Sequence, residues 1–228
     1  MNPLVSVIIP TYNRFKNLLK AIESVKNQTY QFIEIIVVND FSTQKEYYEY
    51  DFKDVKMVHL DKNTKVIYGF ACAGYVRNIG IENSSGEYIA FLDDDDCFLP
   101  HKIELQLKEI QKSGLKMSAT DGYIGKGIYD KDSCYQRYNG ECHLSFLKKQ
   151  LILEDLPEIW TRELIEKHNA IICSSVMVHK EILSKVNKFK LVRNGDEDYA
   201  CWLECLKHTN LIYVKEPCIY YDDNHGRD

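Results

Sequence analysis

Short apolar runs alternate with amphipathic helix patterns along the first half of the chain, and this alternation restricts the possible folds more than any other feature. Four runs rich in β-branched or aromatic residues are predicted to be buried strands: 4–10, 32–40, 55–61 and 87–92. Helices are predicted at 15–28, at 74–86 and after Pro100. Strands that alternate with helices form βαβ units, so we expect an α/β fold with a mainly parallel, Rossmann-like sheet and flanking helices.

The second half of the chain has a less regular pattern. Residues 118–145, rich in Gly, Tyr, Asp and Ser, are predicted to form loops or short antiparallel strands. The other predicted elements are a helix around a proline break at 153–169, a strand at 170–180, a helix at 197–208 and, within 211–221, two strands turned at Pro217. Because no repeat, low-complexity tract or linker interrupts the chain, residues 1–228 are predicted to form one domain with a smaller irregular region.

Charge and cysteine usage exclude several classes of protein. The formal net charge of −5 argues against a nucleic-acid-binding protein, since phosphate binding needs a basic surface. The N-terminal apolar stretch is too short for a membrane span and lacks the basic flank of a secretion signal. The eight cysteines form no CxxC pair, which predicts free thiols in a reducing compartment and a cytoplasmic location. Cys201 and Cys205, one helical turn apart, are predicted to face the core.

Polar clusters follow three of the predicted strands. They are PTYNR at 10–14, NDFS at 39–42 and DDDD at 93–96. Ligands of open parallel sheets bind beyond the carboxyl ends of the strands, so we expect the three clusters to converge on one site. Each cluster alone also has a structural interpretation: Tyr12 as a surface tyrosine, and Asp40, Ser42 and Asp96 as helix caps. The sequence contains neither a GxGxxG fingerprint after the first strand nor a P-loop.

Four consecutive aspartates are the least ordinary of these clusters. An acidic run is usually a solvated tail, but Asp93–Asp96 lies between an apolar strand and a predicted helix. Adjacent carboxylates repel one another, and a divalent cation relieves that repulsion. Hard oxygen ligands of this kind suit Mg²⁺ or Mn²⁺, which bind one or two carboxylates together with substrate phosphates. We therefore expect Mn²⁺ or Mg²⁺ at this run.

Together these motifs resemble those of the family 2 glycosyltransferases, which have a GT-A fold. The matching segments, in chain order, are VSVIIPTYNR (5–14), IEIIVVNDFS (33–42), RNIGIENSSGEYIAFLDDDD (77–96) and EDYACWLECL (197–206). The resemblance is weakest between 115 and 165. It implies that residues 1–114 form the nucleotide-sugar-binding half and that residues 115–228 bind the acceptor and supply the catalytic base.

The resemblance implies a UDP-sugar site at the first three clusters. The implied donor-binding residues are Pro10, Thr11, Tyr12, Arg14, Asp40, Arg77, Asp93 and Asp94. In the family, the aromatic ring matched by Tyr12 packs on the uracil, and the acidic residue matched by Asp40 hydrogen-bonds it. Asn39 departs from the family pattern, which has a second aspartate there, although an amide can still donate and accept. Arg77 matches an arginine near the donor nucleotide.

The resemblance also assigns the metal site and the catalytic base. Asp95, the last aspartate of the DxD motif, would ligate the divalent metal, and His225 matches a histidine that completes the metal site in some members. Asp96 would be structural, as an N-cap or a group behind the site. The general base would be Asp198, which takes the proton from the acceptor hydroxyl. Glu197, its neighbour, remains an alternative base and a possible acceptor-binding residue.

The expected activity is therefore metal-dependent, inverting transfer of a hexose or N-acetylhexosamine from a UDP-sugar to a hydroxyl of a saccharide, a lipid-linked acceptor or a protein-linked sugar. A lipid-linked acceptor would bring the protein to the cytoplasmic face of a membrane as a peripheral protein. Trp160 is the better candidate for stacking on the acceptor, whereas Trp202 is predicted to be core. The rival interpretations are a silent sugar-nucleotide or glycan-binding module and, less favoured, a sugar-phosphate nucleotidyltransferase.

Overall fold

The strands of the protein form one continuous sheet in the computed structural model, which describes residues 2–150, 154–193 and 196–225. The strands are β1 (Val5–Thr11), β2 (Ile33–Asn39), β3 (Val55–His59), β4 (Tyr88–Phe91), β5 (Cys97–Phe98), β6 (Met117–Gly125), β7 (Gln136–Arg137), β8 (Ile159–Trp160), β9 (Met177–His179) and β10 (Leu211–Asp222). The helices are α1 (Phe15–Lys26), α2 (Glu46–Glu49), α3 (Thr64–Tyr68), α4 (Ala73–Glu82), α5 (Lys102–Ser113), α6 (Leu144–Lys149), α7 (Arg162–Lys167), α8 (Lys180–Lys185) and α9 (Glu197–Cys205). A π-helical turn covers Tyr138–His143, and a 3₁₀ turn covers Cys173–Ser175.

The sheet has parallel ladders in its longest pairings. Along the sheet the order is β3-β2-β1-β4-β9-β6-β10-β5, with β7 beside β6 and β8 beside β10. The β1–β2, β1–β4, β2–β3 and β6–β10 pairs are parallel, and the shorter pairs are antiparallel. The carboxyl ends of β1, β2 and β4 therefore lie at one edge of the sheet. The predicted α/β class and the mainly parallel sheet are confirmed.

The first half folds as its pattern predicts because both faces of its strands are covered. Val7 and Ile9 pack into one hydrophobic core and Ile8 into another on the opposite face, which explains the uninterrupted apolar run. Helix α4 packs tightly against β1 at Gly80, where a Cβ atom would lie 2.4 Å from Ile8 Cγ2. Helix α5 ends at Gly114, whose φ of +69° is the left-handed conformation that glycine adopts readily.

One prediction for the second half is right only in part, and another is wrong. The segment 118–145, predicted as loops or short antiparallel strands, does contain the short antiparallel strand β7, but it begins with most of the long strand β6. Strand β6 pairs in parallel with β10 across more than ninety residues of sequence. Its polar residues Ser118, Thr120 and Asp121 are buried. A polar composition typical of loops therefore belongs here to a strand inside the sheet. The strand pair turned at Pro217 is a single strand, β10, because Pro217 sits at a register shift where no ladder hydrogen bond is required of it.

Smaller differences between prediction and structure occur between residues 153 and 180. The strand predicted at 170–180 is reduced to β9, since Cys173–Ser175 turn sharply before it. The segment predicted as a broken helix at 153–169 contains β8 and α7, and its first residue lies outside the described residues. Trp202, Cys201 and Cys205 are buried as predicted, and all eight cysteines are free thiols. None of the described helices has both the length and the hydropathy that crossing a bilayer requires.

Candidate active site

A cleft of about 500 Å³ opens at the carboxyl edge of β1, β2 and β4. All eight predicted donor-binding residues line it, and so do both predicted metal ligands, Asp95 and His225. The sequence interpretation missed five further lining residues: Ala71, Cys72, Ala73, Val76 and Tyr221. Ala71 and Cys72 precede α4 and Ala73 begins it, and their small side chains leave room beside Arg77. Convergence of the three polar clusters on one cavity is what the parallel strand order predicts.

The turn between β1 and α1 places Tyr12 at the mouth of the cleft. Its side chain is 47% exposed, which leaves an aromatic face available to a ligand. The next residue, Asn13, has a φ of +52°, and its side-chain oxygen accepts a hydrogen bond from Thr43 N–H at 2.7 Å. Its own N–H donates to Ser42 Oγ at 2.9 Å. The β1–α1 turn and the loop after β2 are therefore fixed to each other at this end of the cleft.

Asp40 has a structural role as well as a place in the cleft. Its carboxylate accepts hydrogen bonds from Thr64 N–H at 2.7 Å and from Thr64 Oγ1 at 2.6 Å, at the start of α3. Burial raises the Asp40 pKa, and the two Thr64 hydrogen bonds oppose that rise. Asn39 is fully buried and accepts from Ser42 N–H, so it shapes the turn rather than the cleft surface. Asp40 is not the N-cap of α3, because Asn63 occupies that position, but its carboxylate accepts from the first residue of the helix. The carboxylate retains lone pairs for a further donor.

The first three aspartates of the acidic run share two arginines. Arg14 Nη1 lies 3.0 Å from Asp94 Oδ1 and 2.8 Å from Asp95 Oδ2. Arg77 Nη2 lies 2.6 Å from Asp93 Oδ1. These contacts supply, within the protein, part of the counter-charge that the sequence requires for the run.

Asp96 differs from its neighbours because it faces the interior. It is 3% exposed, and it accepts hydrogen bonds from Ser174 Oγ and from Asp222 N–H at 3.0 Å. Ser174 Oγ also accepts from Asp93 N–H at 3.0 Å. Asp96 therefore joins the end of β4 to β10 and to the turn before β9. Its predicted structural role is confirmed, but the N-cap alternative is wrong, because His101 occupies the N-cap position of α5.

Burial makes the ionisation of the acidic run unfavourable. Desolvation raises the pKa of Asp94 to about 6, although Arg14 opposes the rise. Desolvation, with the neighbouring Asp93 and Asp94 charges, raises the pKa of Asp95 to about 7. Burial also raises the pKa of Asp96 well above its ordinary value. A cation bound beside these groups would stabilise their ionised forms.

Arg77 connects the acidic run to helix α9. Its guanidinium is buried, and its Nη1 lies 3.1 Å from Glu197 Oε1 while Nη2 holds Asp93. Asp198, the next residue, is partly exposed at the start of α9 and accepts a hydrogen bond from Tyr199 N–H at 2.6 Å. Desolvation raises the pKa of Asp198 to about 6, and Arg77 opposes that rise. Glu197 is thus engaged by Arg77, whereas the Asp198 side chain is not paired with a cation at salt-bridge distance in the described residues.

The donor set of the cleft fits a divalent cation that shares its coordination with a substrate. No three His, Cys, Asp or Glu side chains of the described residues are arranged to hold a metal by themselves. Mg²⁺ and Mn²⁺ commonly take one or two protein ligands and complete their shell with phosphates and water. Asp95 and His225 line the same cleft, and the buried Asp94 Oδ2 makes no hydrogen bond of acceptable geometry among the described residues, although Thr11 is close enough to lower the Asp94 pKa. The residues therefore suit the cation that the sequence predicts.

Trp160 is a core residue, which corrects its selection as the exposed platform for an acceptor. It is 1% exposed, its ring stacks on Tyr213 at 4.3 Å, and its indole N–H donates to Pro157 O. The aromatic groups beside the cleft are instead Tyr221, whose ring contacts His225, and Tyr138, whose ring contacts Tyr221. A tyrosine-rich strand end gave the only sequence signal for Tyr221, and no signal distinguished Tyr138.

Comparison with known proteins identifies the family. Residues 6–157 match the family described as glycosyl transferase family 2, so the chain belongs to the family 2 glycosyltransferases. It is 46% identical over 118 residues to an uncharacterised glycosyltransferase of Rickettsia bellii, covering 51% of this chain and 16% of that protein. It is 28% identical over 212 residues to the Escherichia coli UDP-Glc:alpha-D-GlcNAc-diphosphoundecaprenol beta-1,3-glucosyltransferase WfgD, covering 92% of this chain and 73% of that protein.

The solved structures confirm the fold. Staphylococcus aureus TarS, residues 1–349 in complex with UDP-GlcNAc, superposes with a TM-score of 0.71 at 17% identity, covering 99% of this chain and 59% of that one. This similarity supports the predicted GT-A fold. Because the chain spans 16% of the R. bellii protein and 59% of the TarS chain, those proteins contain long regions beyond the matched part.

Proposed function

We propose that this chain transfers a hexose or N-acetylhexosamine from a UDP-sugar to a hydroxyl acceptor, using Mn²⁺ or Mg²⁺. One observation carries the proposal. A single cleft joins an exposed tyrosine, a buried acidic run and two arginines at the carboxyl edge of the sheet. Asp198 is not among the lining residues, but it is near enough for the charges of Arg77 and Asp93, which line the cleft, to act on its pKa. A UDP-sugar needs this combination of an aromatic surface for the base and cations for the diphosphate. The name of the E. coli relative, a UDP-glucose-dependent transferase, and the UDP-GlcNAc bound to TarS support the same donor class.

The nucleotide end of the site would be formed by β1, β2 and the residues that follow them. Tyr12 would pack against the uracil through its exposed ring, and Asp40 would accept the uracil N–H with the lone pairs that Thr64 does not use. Pro10 and Thr11 would form the floor of the cleft beneath the base. Asp93 and Asp94 would face the ribose and the sugar.

The metal end of the site would be formed by Asp95 and His225. When bound, the cation supplies Lewis-acid stabilisation of the charge that develops on the departing diphosphate. Arg14 and Arg77 both line the cleft and contribute positive charge to it, and Arg77 also forms an ion pair with Asp93. The carboxylates of the run are held close together before any ligand arrives, so little reorganisation is required of them.

Asp198 would act as the general base that accepts the proton of the attacking hydroxyl. Its raised pKa, about 6, lies close to the pH at which it must work, which suits a base. Glu197 is less suited, because its carboxylate is committed to the Arg77 guanidinium. A single base and a single displacement at the anomeric carbon would invert its configuration.

The acceptor would be a saccharide linked to a lipid, a protein or another glycan. The E. coli relative is named for a GlcNAc carried on diphosphoundecaprenol, and we favour a lipid-linked saccharide on that ground. Such an acceptor would bring the protein to a membrane surface as a peripheral protein. Tyr138 and Tyr221, which lie beside the cleft, are the aromatic residues proposed to contact it.

The direct test is release of UDP by the purified protein. UDP-glucose, UDP-galactose and UDP-GlcNAc would be compared with GDP-mannose, each with Mn²⁺ and with EDTA. We expect metal-dependent UDP release from at least one UDP-sugar and none from GDP-mannose. UDP binding without release from any donor, with or without an added lipid-linked GlcNAc acceptor, would favour the silent binding module instead.

A further inference from the structure

Arg14 occupies the space beside the carboxylates to which the proposed function assigns the sugar and the metal. A single guanidinium nitrogen, Nη1, lies within 3.0 Å of Asp94 Oδ1 and 2.8 Å of Asp95 Oδ2. This side chain is therefore a counter-ion for Asp94 and Asp95. The contact uses one oxygen of the proposed metal ligand, Asp95.

The backbone of Arg14 is fixed, while its guanidinium is on the solvent side of the carboxylates. Its N–H donates to Tyr47 Oη at 3.0 Å, and its carbonyl oxygen accepts from Leu18 N–H at 2.9 Å. The Arg14 side chain is 36% exposed, whereas those of Asp94 and Asp95 are 5% and 9% exposed. The guanidinium can therefore rotate towards solvent without disturbing α1 or the acidic run.

A divalent cation on Asp95 and the present position of Arg14 are incompatible. The cation and the guanidinium would share the same carboxylates, and because those carboxylates are only 5% and 9% exposed, water screens the repulsion between the two positive charges only in part. One of the Asp95 oxygens would also have to serve both cations. Metal binding thus requires the Arg14 guanidinium to leave its position.

A nucleoside diphosphate offers the displaced guanidinium a new partner. Arginine binds phosphate oxygens with paired, charge-assisted hydrogen bonds, which match or exceed those that it gives up. Building on the proposed function, we propose that Arg14 holds Asp95 in the empty enzyme and releases it when a nucleoside diphosphate binds the guanidinium. The metal then enters with the nucleotide rather than before it.

The test measures Mn²⁺ affinity without substrate, by following the spin resonance of free Mn²⁺ during a titration of the protein. Wild type would be compared with Arg14→Gln, which removes the charge, and with Arg14→Lys, which keeps it. Lys16→Gln, an exposed residue of α1, is the matched control for the loss of one positive charge. Thermal unfolding of each variant confirms that it is folded.

We expect Arg14→Gln to bind Mn²⁺ alone at least about fivefold more tightly than wild type, the low end of typical coupling between sites. Arg14→Lys and Lys16→Gln should stay close to wild type. We also expect saturating UDP to tighten Mn²⁺ binding by a larger factor in wild type than in Arg14→Gln. Equal Mn²⁺ affinity in wild type and Arg14→Gln, or a tightening by Lys16→Gln as large as that by Arg14→Gln, would overturn the proposal.

Failure of this inference is distinguishable from failure of the proposed function. If UDP-sugar turnover is metal-dependent but Arg14→Gln binds Mn²⁺ no better than wild type, the role of Arg14 is wrong and the transferase stands. If turnover proceeds fully in EDTA, the role of Arg14 is again wrong, while transfer from a UDP-sugar still stands. Absence of both turnover and UDP binding would reject the proposed function and this inference together.

Discussion

The two ends of the cleft, the proposed nucleotide end with Arg14 and the proposed base end with Arg77, hold the same acidic run with arginines of opposite character. At the nucleotide end, Arg14 is 36% exposed and bridges Asp94 and Asp95, which are adjacent in sequence. At the base end, Arg77 is buried and bridges Asp93 and Glu197, which are more than a hundred residues apart. One arginine can exchange its partners for a ligand, and the other joins two halves of the protein.

Burial accounts for this difference. Removing one partner of a buried ion pair leaves an uncompensated charge in the interior, whereas a half-exposed arginine is rehydrated by water. The base end is therefore expected to be rigid and the nucleotide end adjustable. The proposed transfer reaction needs both, because the proposed base must stay in position while donor and product enter and leave.

The largest expected effect is at the base end, on turnover. Asp198→Asn keeps the shape of the side chain but removes the proton acceptor, so kcat for UDP-sugar transfer should fall about 10²- to 10⁴-fold. The UDP affinity, measured by calorimetry, should stay near the wild-type value because Asp198 does not line the nucleotide end. Turnover at the wild-type rate would reject Asp198 as the base.

The next effect concerns stability and compares the two arginines directly. Arg77→Met leaves Asp93 and Glu197 without their cation, and we expect a loss of about 3–5 kcal/mol in the free energy of unfolding. Arg14→Met should cost less, because the side chain that it removes is 36% exposed and because Asp94 and Asp95, with pKa values of about 6 and about 7, can take up protons. Urea denaturation of both variants measures the difference. Equal losses of stability in the two variants would contradict the proposed difference between the buried Arg77 and the partly exposed Arg14.

A third effect is the pH dependence of stability that the acidic run contributes. The folded-state pKa values of Asp94 and Asp95, about 6 and about 7, exceed the ordinary value of 3.8. Groups of this kind favour the folded state when protonated, so their contribution is complete below pH 3.8 and is lost as the pH rises to 7. A pKa raised by two units corresponds to roughly 3 kcal/mol.

The variant with both Asp94→Asn and Asp95→Asn isolates this contribution. Thermal or urea unfolding between pH 4 and 7.5 should show wild type losing stability relative to the variant as the pH increases. Addition of Mn²⁺ and UDP should reduce that loss, because a cation stabilises the ionised carboxylates. A difference between wild type and variant that is constant with pH would contradict the raised pKa values.

The smallest effect is expected at the uracil contact. Asp40→Asn weakens a hydrogen bond to a charged acceptor, so UDP affinity should fall by about 1–2 kcal/mol, while the weaker GDP affinity should change little. Thr64→Val is the comparison variant: it keeps Asp40 but removes the Thr64 Oγ1 hydrogen bonds with Asp40 and with the N–H of Cys72, a residue of the cleft. Calorimetric titrations of wild type and of both variants with UDP, GDP and TDP measure these affinities. Equal affinities of wild type for UDP and GDP would reject the role given to Asp40.

The parts of the molecule that the sequence predicts are those set by local patterns. Strands β1, β2 and β4 are buried on both faces, and their apolar runs and the polar residues after them specify the edge where Tyr12, Asp40 and Asp95 meet. The parts that could not be predicted depend on contacts distant in sequence. Examples are the β6–β10 ladder and the stacking of Trp160 on Tyr213.

The sequence also did not predict which distant residues the cleft side chains contact. Nothing in the pattern shows that Asp40 is hydrogen-bonded to Thr64, or that Arg77 reaches Glu197 across 120 positions. Asp95 and Asp96 are adjacent members of one acidic run, yet Asp96 is buried in the interior and Asp95 lines the cleft. Side-chain direction at the end of β4 is decided by β10 and the turn before β9, which lie far along the chain.

Binding of UDP with and without Mn²⁺ tests the central claim most directly, namely that the cleft holds a nucleoside diphosphate through a cation on Asp95. In calorimetric titrations, wild type should bind UDP about tenfold or more tightly when Mn²⁺ is present, a gain typical of coupled sites. Asp95→Asn should lose most of that gain, while its metal-free UDP affinity should equal or exceed that of wild type, because Arg14 is no longer held by Asp95. A UDP affinity that is the same with and without Mn²⁺ in wild type, or an undiminished gain in Asp95→Asn, would contradict the account.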